Sequence, residues 1–455
     1  MKKALAALSL VFCGFYPSFS LAQTTTRTPS AQVLDDNSNF PVRPITLDEA
    51  YRLTIKRSET FAESKEAVKS ALGQVEQLIS ALLPHVSFGA TQFLQESPNI
   101  PGLSFIDITN YREEAFSANQ TIFDGFREYL AYKVGKLGVR AAKLAKARAE
   151  SLLYQSVAQA YTNLLMYQKQ IKIQKDTIVT MQNQVDFLKY WKRIGRARDS
   201  DVLSAASQLA QFKSQLELTR GQEAVSQELM RFLTGDDAEF IPQEISLPSL
   251  PERQPFLERA DHREDVEAAR ANFESAQAQT SIYRRSRLPT VTAGGDYFLN
   301  NVPFSANTHY DGNFNLSFPI FDGGLISGQV KQSKAQERSA KQALSLAERT
   351  ARNDVNTAYS TLHWTLRAVD ALDKTAKLAA QNVEAEKSDY KKGLVTNLDV
   401  LTSITTLLND RMVLNQNQQQ AIYASVQLKV AAGGPSNKEE EVRQALGETQ
   451  SKVKQ

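Results

Sequence analysis

Cysteine and histidine are scarce in this sequence, and their scarcity excludes several kinds of protein. One of the 455 residues is a cysteine, Cys13, and it lies in an apolar N-terminal segment. We therefore expect no disulfide framework in the mature chain. The four histidines stand on separate predicted elements without the spacing of metal ligands, and HExxH, P-loop and GxSxG motifs are absent. These absences argue against an enzyme, and they predict no cofactor and no metal site.

Excess charge and long apolar runs are missing as well. The formal charge of +3, from 53 basic and 50 acidic residues, is too balanced to indicate a nucleic-acid partner. Residues 1–22 have the basic start, apolar stretch and small-residue end of a secretory signal peptide, so we expect the chain to be exported. After residue 22, no run approaches the roughly 18 consecutive apolar residues of a membrane-spanning helix. If the exported chain crosses a membrane, strands must carry it across.

Proline is present but unevenly distributed. The stretches between Pro101 and Pro242 and between Pro319 and Pro435 contain none. Within them, residues 125 to about 190 and 323 to about 390 are rich in alanine, glutamine, lysine and leucine, which favour helix. A helix of roughly 66 residues is about 100 Å long, far beyond the width of a small domain.

The chain contains two copies of one pattern. At an offset of 198 residues, Ile-Phe-Asp-Gly at 122–125 aligns with the same tetrapeptide at 320–323, and similarity continues without a gap far beyond it. Upstream, the Leu-Pro pairs at 83–84 and 288–289 are offset by 205 residues, so a loop of different length separates the two motifs. Because the spacing is kept across predicted helices and turns, the pattern indicates an internal duplication.

Each copy is predicted to contain a helix, a β-hairpin, a long helix, a turn and a returning helix. The first helices run from Thr46 to about Leu82, with capping-box spacing between Thr46 and Glu49, and from about Glu258 to Arg287. The predicted divisions are residues 1–22 (signal peptide), 23–45 (N-terminal segment), 46–235 (first copy), 236–257 (Pro-rich linker), 258–434 (second copy) and 435–455 (polar tail). Strands are predicted at about 85–97, 111–123, 290–300 and 308–321, and hairpin tips near 191–201 and 389–399.

The predicted strands alternate polar and apolar residues. In residues 309–319 one face is apolar apart from Gly312, and the other face is wholly polar. Strands of about ten residues with this pattern suit a tilted transmembrane β-strand, although a soluble sheet with one solvated face alternates in the same way. Two hairpins are too few to close a barrel, so a membrane role requires several chains to pool their strands.

The duplicated pattern carries a family resemblance. With the signal peptide and Phe-Pro-Ile-Phe-Asp-Gly-Gly at 318–324, it resembles the TolC family of outer-membrane efflux proteins over about residues 45–434. The resemblance implies a mainly α fold with a small β part, in which three chains form a 12-stranded outer-membrane β-barrel continued by a periplasmic α-helical barrel. The repeated Asp-Gly pairs are themselves interpreted as tight strand-to-helix turns, at Asp124, Gly125, Asp322 and Gly323.

The resemblance also implies a gate at the periplasmic end. Its positions match Tyr390, Asp399, Ser200 and Asp201. The family's adaptor-contacting tips match this set: Gly195, Arg196, Arg198, Gly393 and Leu394. Repeated by threefold symmetry, Asp399 is a candidate acidic ring that favours cations.

Two departures from the family pattern concern this gate. Val395 and Thr402 stand where the family has an arginine and a second aspartate, so we expect one ion-pair link to be missing. From the residues themselves, Asp199 and Asn397 are interpreted as ordinary turn and cap residues.

These features lead to one functional expectation. The chain is predicted to be the passive outer-membrane exit duct of a tripartite efflux or type I secretion system in a Gram-negative cell. Its expected partners are two further copies of itself, a periplasmic adaptor (membrane fusion protein), an inner-membrane pump and outer-membrane lipid, without nucleic acid. A secreted coiled-coil structural or adhesin protein is the alternative. The sequence does not separate drugs, metabolites and proteins as exported substrates.

Overall fold

The computed structural model describes residues 42–94, 96, 110–302, 305 and 307–434. The predicted signal peptide and polar tail lie outside these residues. The helices are α1 (Leu47–Arg57), α2 (Glu59–Ser80), α3 (Arg127–Arg193), α4 (Asp199–Thr234), α5 (Gln254–Ala260), α6 (Glu264–Arg285), α7 (Leu325–Lys392) and α8 (Asn397–Ala431). The strands are β1 (Val42–Ile45), β2 (His85–Leu94), β3 (Asn110–Phe123), β4 (Glu239–Pro242), β5 (Thr290–Asn300) and β6 (Tyr310–Ser317). The mainly helical, duplicated fold class is confirmed.

Both copies have the same order of elements, and the repeat reaches further than the sequence indicated. Each copy contains, in order, a strand, two helices, a hairpin, a long helix and a returning helix. The first strands, β1 and β4, pair in parallel, with Ile45 opposite Pro242. The segment at 236–257, predicted as a linker, therefore holds the first strand of the second copy and the start of α5.

The first helix of each copy is broken, and here the predicted single helices are wrong. Thr46 Oγ1 accepts a hydrogen bond from Glu49 N at 3.2 Å and starts α1, as its position predicts. Ser58 then ends α1, and its Oγ accepts from Phe61 N at 3.2 Å to start α2. The second copy is interrupted between α5 and α6, around Arg263. Periodicity does not reveal such breaks, because the apolar stripe resumes after the new cap.

The long helices are unbroken. α3 has 67 residues and α7 has 68, which at about 1.5 Å per residue makes each roughly 100 Å long. Gly135 lies within α3 where α2 crosses it: a Cβ there would stand 2.7 Å from Leu78 Cδ1 and 3.1 Å from Val75 Cγ2. The glycine thus permits close helix packing and does not break the helix. No helix within the described ranges has an apolar stretch long enough to cross a bilayer.

One four-stranded sheet unites the two hairpins. Its order is β2-β3-β5-β6, and every neighbouring pair is antiparallel. The β3–β5 pairing, with Ser117 opposite Asp296, joins the first copy to the second. β2 and β6 form the two edges. The structure ends β6 at Ser317, short of the predicted 321, and ends β2 at Leu94.

The two faces of this sheet differ in chemistry. One face exposes large apolar side chains, among them Val86, Phe88, Phe314 and Leu316. The opposite face is polar at its centre, where Ser117 donates a hydrogen bond to Asp296 across the copy junction. A single chain therefore presents an unusually apolar surface to its surroundings.

The helical part is held together by separate apolar clusters. One lies near the hairpin turns and draws Met181, Leu209, Val383 and Ile404 from all four long helices. Another surrounds Tyr161, whose hydroxyl lies 2.9 Å from the carbonyl oxygen of Ile45 on β1. A third joins α5 to α7 and α8. Because these clusters lie apart along the helices, the helical part has no single hydrophobic core.

A buried arginine connects three helices of the second copy. Arg263 is 1% exposed and donates to both carboxylate oxygens of Asp265 at 2.7 and 2.8 Å. It also reaches Asp354 Oδ2 on α7 at 2.9 Å and the carbonyl oxygen of Ala431 at the end of α8 at 3.1 Å. Burial raises the pKa of Asp265, but the hydrogen bonds and charge of Arg263 outweigh burial, and the pKa lies below its ordinary value.

Replacing this arginine tests its role. We expect Arg263→Ala to lower the free energy of unfolding by about 3 kcal/mol, the lower end of the range for breaking a buried ion pair, because both carboxylates keep some solvent contact. The matched control is Arg352→Ala, which removes a two-bond pair with Asp261 from an exposed site and should change little. Denaturant unfolding of the purified protein measures both. Equal losses in the two variants would contradict a special role for Arg263.

Candidate functional site: the strand-to-helix turns and the helical tip

The Asp-Gly motif begins each long helix. In the first copy, Asp124 Oδ1 accepts from Arg127 N at 2.9 Å and Oδ2 accepts from Glu128 N at 3.1 Å. In the second copy, Asp322 accepts from Gly324 N at 2.9 Å and from Ile326 N at 2.7 Å. A carboxylate in this position pairs the free N–H groups of the helix and opposes the positive end of its dipole. The backbone hydrogen bonds lower the pKa of Asp322, and the bond from Ile326 N has a larger effect than the bond from Gly324 N.

The glycines of the motif provide left-handed backbone. Gly125 has φ 76° and Gly323 has φ 63°, and each is followed by a second left-handed residue, Phe126 or Gly324. Gly125 is also close-packed, since a Cβ there would stand 2.9 Å from Leu288 Cδ1. The equivalent space at Gly323 is open. The shared motif therefore sets a turn geometry in both copies, and only the first turn is covered within the chain.

The two hairpin turns at the far end of the long helices are built alike. Gly195 and Gly393 have φ of 73° and 76°. Arg196 N donates to the carbonyl oxygen of Trp191 at 2.8 Å, and Leu394 N donates to that of Asp389 at 3.0 Å. These positions are 198 residues apart, so the duplication extends to individual hydrogen bonds. Left-handed glycine after a helix is the usual way to end it.

The predicted docking residues are exposed at these turns. Gly195, Arg196 and Arg198 form a basic tip on the first hairpin. Gly393 and Leu394 form an apolar tip on the second, where Leu394 is 71% exposed. The two tips therefore present different chemistry despite their common backbone.

Tyr390, the predicted gate tyrosine, lies in an aromatic cluster between the hairpins. It is 9% exposed and stacks on Trp191, with ring centroids 5.6 Å apart and an angle of 25° between the planes. Phe187 meets it edge-on at 6.3 Å. Burial, and secondarily the negative charge of Asp201, raise the pKa of Tyr390. Within one chain, Tyr390 thus packs the first hairpin against the second.

The predicted gate aspartates cap the returning helices. Asp399 Oδ2 accepts from Thr396 N at 2.8 Å and from Thr396 Oγ1 at 2.7 Å. Both hydrogen bonds lower the pKa of Asp399, and the bond from the Thr396 side chain has the larger effect. At the equivalent position, Asp201 Oδ2 accepts from Arg198 N at 3.2 Å. Ser200 is exposed in the first turn of α4.

Asn397 has a role that the sequence did not reveal. It is 4% exposed, accepts from Gln184 Nε2 at 3.3 Å and donates through Nδ2 to the carbonyl oxygen of Asp201 at 3.2 Å. One side chain at the start of α8 thus contacts both helices of the first hairpin. The equivalent residue of the first copy, Asp199, is exposed and forms an ion pair with Lys192 at 2.6 Å. The one sequence feature that indicated this role is the amide at position 397, because the equivalent position 199 has a carboxylate.

Metal chemistry is not indicated in the part of the chain that the structure describes. Those residues contain no group of three or more histidine, cysteine, aspartate or glutamate side chains placed to hold a metal ion. The tip residues contact one another through caps, aromatic packing and amide hydrogen bonds. Such an arrangement holds the helices of the two hairpins together.

Sequence comparison finds one family in both copies. The family model described as outer membrane efflux protein matches residues 50–236 and 258–434. The outer membrane protein TolC of Escherichia coli (strain K12) is 22% identical over 391 residues, covering 80% of this chain and 77% of that protein. The pyoverdine export outer membrane protein OpmQ of Pseudomonas putida is 22% identical over 412 residues, covering 85% and 86%.

Solved structures have the same fold. The outer membrane protein VceC of Vibrio cholerae superposes with a TM-score of 0.77 at 19% identity, covering 85% of this chain and 96% of that one. The open state of the MtrE outer membrane channel of Neisseria gonorrhoeae gives a TM-score of 0.70 at 17% identity, covering 85% and 89%. The chain belongs to the outer membrane efflux protein family, the TolC family, and is a non-enzymatic efflux channel of the Gram-negative outer membrane.

Proposed function

We propose that this channel acts as a homotrimer and forms the exit duct of a tripartite efflux system. The carrying observation is the four-stranded sheet with an apolar outer face and two unpaired edge strands, β2 and β6. Sheet edges cannot remain unpaired in lipid, so further copies of the chain must complete the sheet. Three copies give 12 strands, and their helices of roughly 100 Å extend the duct into the periplasm.

The exported substrate is proposed to be small molecules. The name of one relative, OpmQ, records pyoverdine export, and two others are named for efflux or as outer membrane channels. Protein export through a type I secretion system uses the same kind of duct and is the second candidate. In either case the energy comes from an inner-membrane pump, which an adaptor connects to the tips.

The gate of this duct is proposed to lie where the two hairpins meet. Tyr390 and Asn397 fasten the second hairpin to the first in the closed state, while Asp201 and Asp399 fix the starts of the returning helices. Val395 replaces the family's arginine, so amide and aromatic contacts take the place of that ion-pair link. An adaptor that binds the exposed tips, Arg196 and Leu394 among them, shifts the population towards separated hairpins.

The proposed function predicts a phenotype and an activity. A strain without the gene should become sensitive to dyes and detergents while its secreted proteins are unchanged, and a plasmid copy should restore resistance. The purified protein should come from the outer membrane fraction and form pores in planar bilayers. Unchanged sensitivity with loss of a secreted protein would favour type I secretion instead. A protein absent from the outer membrane would contradict the account.

Asn397→Leu should open the gate in the absence of an adaptor. It removes two hydrogen bonds between the hairpins, each worth about 0.5–1.5 kcal/mol, and leaves Gln184 and the Asp201 carbonyl without this partner. A loss of about 1–3 kcal/mol raises the open-to-closed ratio about 5- to 150-fold. Single-channel recording measures this ratio. The matched control, Asp199→Leu at the equivalent exposed position, should gate normally; equal opening of both variants would refute the assignment.

Asp399→Asn tests the acidic ring. The asparagine still accepts the hydrogen bonds from Thr396, so the helix start is kept while the charge is lost. We expect cation selectivity to fall. In the natural chain selectivity should persist from pH 7 to pH 5, because the hydrogen bonds from Thr396 hold the pKa of Asp399 below its ordinary value and so favour the charged carboxylate. Reversal potentials measure both effects, with Asp261→Asn, remote from the tip, as control. Unchanged cation selectivity in Asp399→Asn would contradict the proposed acidic ring.

A further inference from the structure

Each long helix carries four exposed basic residues on one face, close to the sheet. The set on α3 is Lys133, Lys136, Arg140 and Lys143. The set on α7 is Lys331, Lys334, Arg338 and Lys341. Spacings of three, four and three residues keep each set on one side of its helix. We call these two sets the basic stripes, and neither the gate nor the tips include them.

The duplication has kept the stripes at equivalent positions. Adding 198 to each residue number of the α3 stripe gives the α7 stripe, and lysine matches lysine and arginine matches arginine at all four positions. Nearby positions have diverged; Lys146, for example, has Leu344 as its equivalent. Most exposed positions tolerate substitution at little cost in stability. Four retained charges therefore indicate a ligand that both helices share.

Most of these cations lack an acidic partner among the described residues. Arg140 is the exception, because it forms an ion pair with Glu267 on α6 at 2.8 Å. Lys136 lies over the ring of Tyr132, with its Nζ 4.6 Å from the ring centroid, and this contact leaves its charge uncompensated. The remaining members of the stripes form no ion pair within the described ranges. Their charges are available to an anion from outside the chain.

The stripes face the side of the long helices that carries the short helices α1 and α5. Glu150, seven residues after Lys143, accepts a hydrogen bond from Tyr51 of α1 at 3.1 Å. Arg352, 14 residues after Arg338, donates to the aspartate that follows α5 at 2.7 Å. Separations of 7 and 14 residues return to nearly the same side of a helix. A face covered by α1 and α5 cannot line an open duct, so the stripes face outward.

Exposed aromatic side chains lie between the sheet and the stripes. Phe126 and Tyr129 are 62% and 63% exposed in the first copy, and Phe321 is 90% exposed in the second. Aromatic residues collect where the hydrocarbon of a membrane meets the lipid headgroups. Lys133 follows Tyr129 by four residues, about 6 Å along the helix. Since a headgroup layer is roughly 5–8 Å thick, Lys133 lies at its level.

The direction of the long helices turns the lysines towards the bilayer. Both helices begin at the sheet, and the side chains of an α-helix tilt towards its N-terminus. Lys133 and Lys136 therefore extend towards the headgroups, and Arg140 and Lys143 continue the positive charge below them. An acidic polymer of the cell wall is not confined to this level. The position of the stripes next to the aromatic side chains thus favours lipid.

We propose that the basic stripes bind anionic phospholipids of the outer-membrane leaflet that faces the periplasm. The lipid phosphates pair with Lys133 and Lys136 on α3 and with Lys331 and Lys334 on α7. Clusters of lysine and arginine next to a membrane-spanning part attract anionic lipid in this way. The proposal requires only that the apolar face of the sheet meets lipid. It does not depend on the number of chains, the exported substrate or the gate.

Lipid binding by the purified full-length protein tests the proposal. The protein in nonionic detergent is titrated with fluorescent phosphatidylglycerol, or with fluorescent phosphatidylcholine as the neutral comparison, and anisotropy measures binding. The natural chain should prefer phosphatidylglycerol. The stripe variant combines K133Q, K136Q, K331Q and K334Q, so that each stripe loses two charges. At about fivefold per basic residue, its affinity for phosphatidylglycerol should fall about 25-fold.

Two further variants and one change of salt serve as controls. The matched variant removes four exposed lysines of the same helices, about 60 Å farther from the sheet, and should bind like the natural chain: K172Q, K175Q, K374Q and K377Q. Arginine at the four stripe positions keeps the charge and should keep the binding. For the natural chain, which needs no substitution, the preference should disappear at about 1 M salt, where the Debye length is about 3 Å.

Each of the other outcomes would overturn the proposal. Equal affinity of the natural chain for the two lipids would do so, as would equal losses in the stripe variant and the matched variant. Binding of soluble cell-wall fragments in place of phosphatidylglycerol would assign the stripes to the wall polymer. Altered ion selectivity of the stripe variant in neutral bilayers, with lipid binding unchanged, would place the stripes in the pore. Lipid binding is read without conductance, so its failure is separate from a failure to form pores.

Discussion

Backbone hydrogen bonding at the two outer strands of the sheet is the constraint on which the rest of this structure depends. β2 and β6 each have one row of backbone N–H and C=O groups on the outer edge of the sheet. The sheet also has an apolar face. Lipid cannot satisfy such groups, so a channel of this family must close its edges with protein. The proposed homotrimer follows from that requirement, and the polar face with its Ser117–Asp296 contact then lines the interior.

The duplication explains how one short motif serves two places. Asp124 and Asp322 cap the long helices with equivalent hydrogen bonds, and the following glycines provide the left-handed turn. The copies diverge where their surroundings differ. Gly125 is covered by its own chain, whereas Gly323 is open, and Asn397 is buried where Asp199 is exposed. Equivalent positions of the two copies therefore have different surroundings within the chain.

Much of this fold was predictable, because local patterns determine it. The proline-free stretches predicted α3 and α7, and the alternation of polar and apolar residues predicted the four sheet strands. The break at Ser58 was missed because serine, although favoured as an N-cap, also occurs on helix surfaces. The β1–β4 pairing was missed because two four-residue strands carry little pattern and meet only in the folded chain. At the tip, the sequence assigned the turn and cap roles to Asp199 and Asn397, whereas Asp201 and Asp399 accept the capping hydrogen bonds. The bridge made by Asn397 depends on which helices become neighbours.

The tip and the sheet are two ends of one conduit, joined by helices that carry no catalytic chemistry. In the proposed function, adaptor binding at the tip changes contacts between hairpins, and the sheet stays closed by neighbouring chains. The roles proposed for both ends require several identical chains to share one channel. Native mass spectrometry of the pore-forming species in detergent tests this assumption most directly. The account predicts the mass of three chains; a single chain that still forms pores would contradict it.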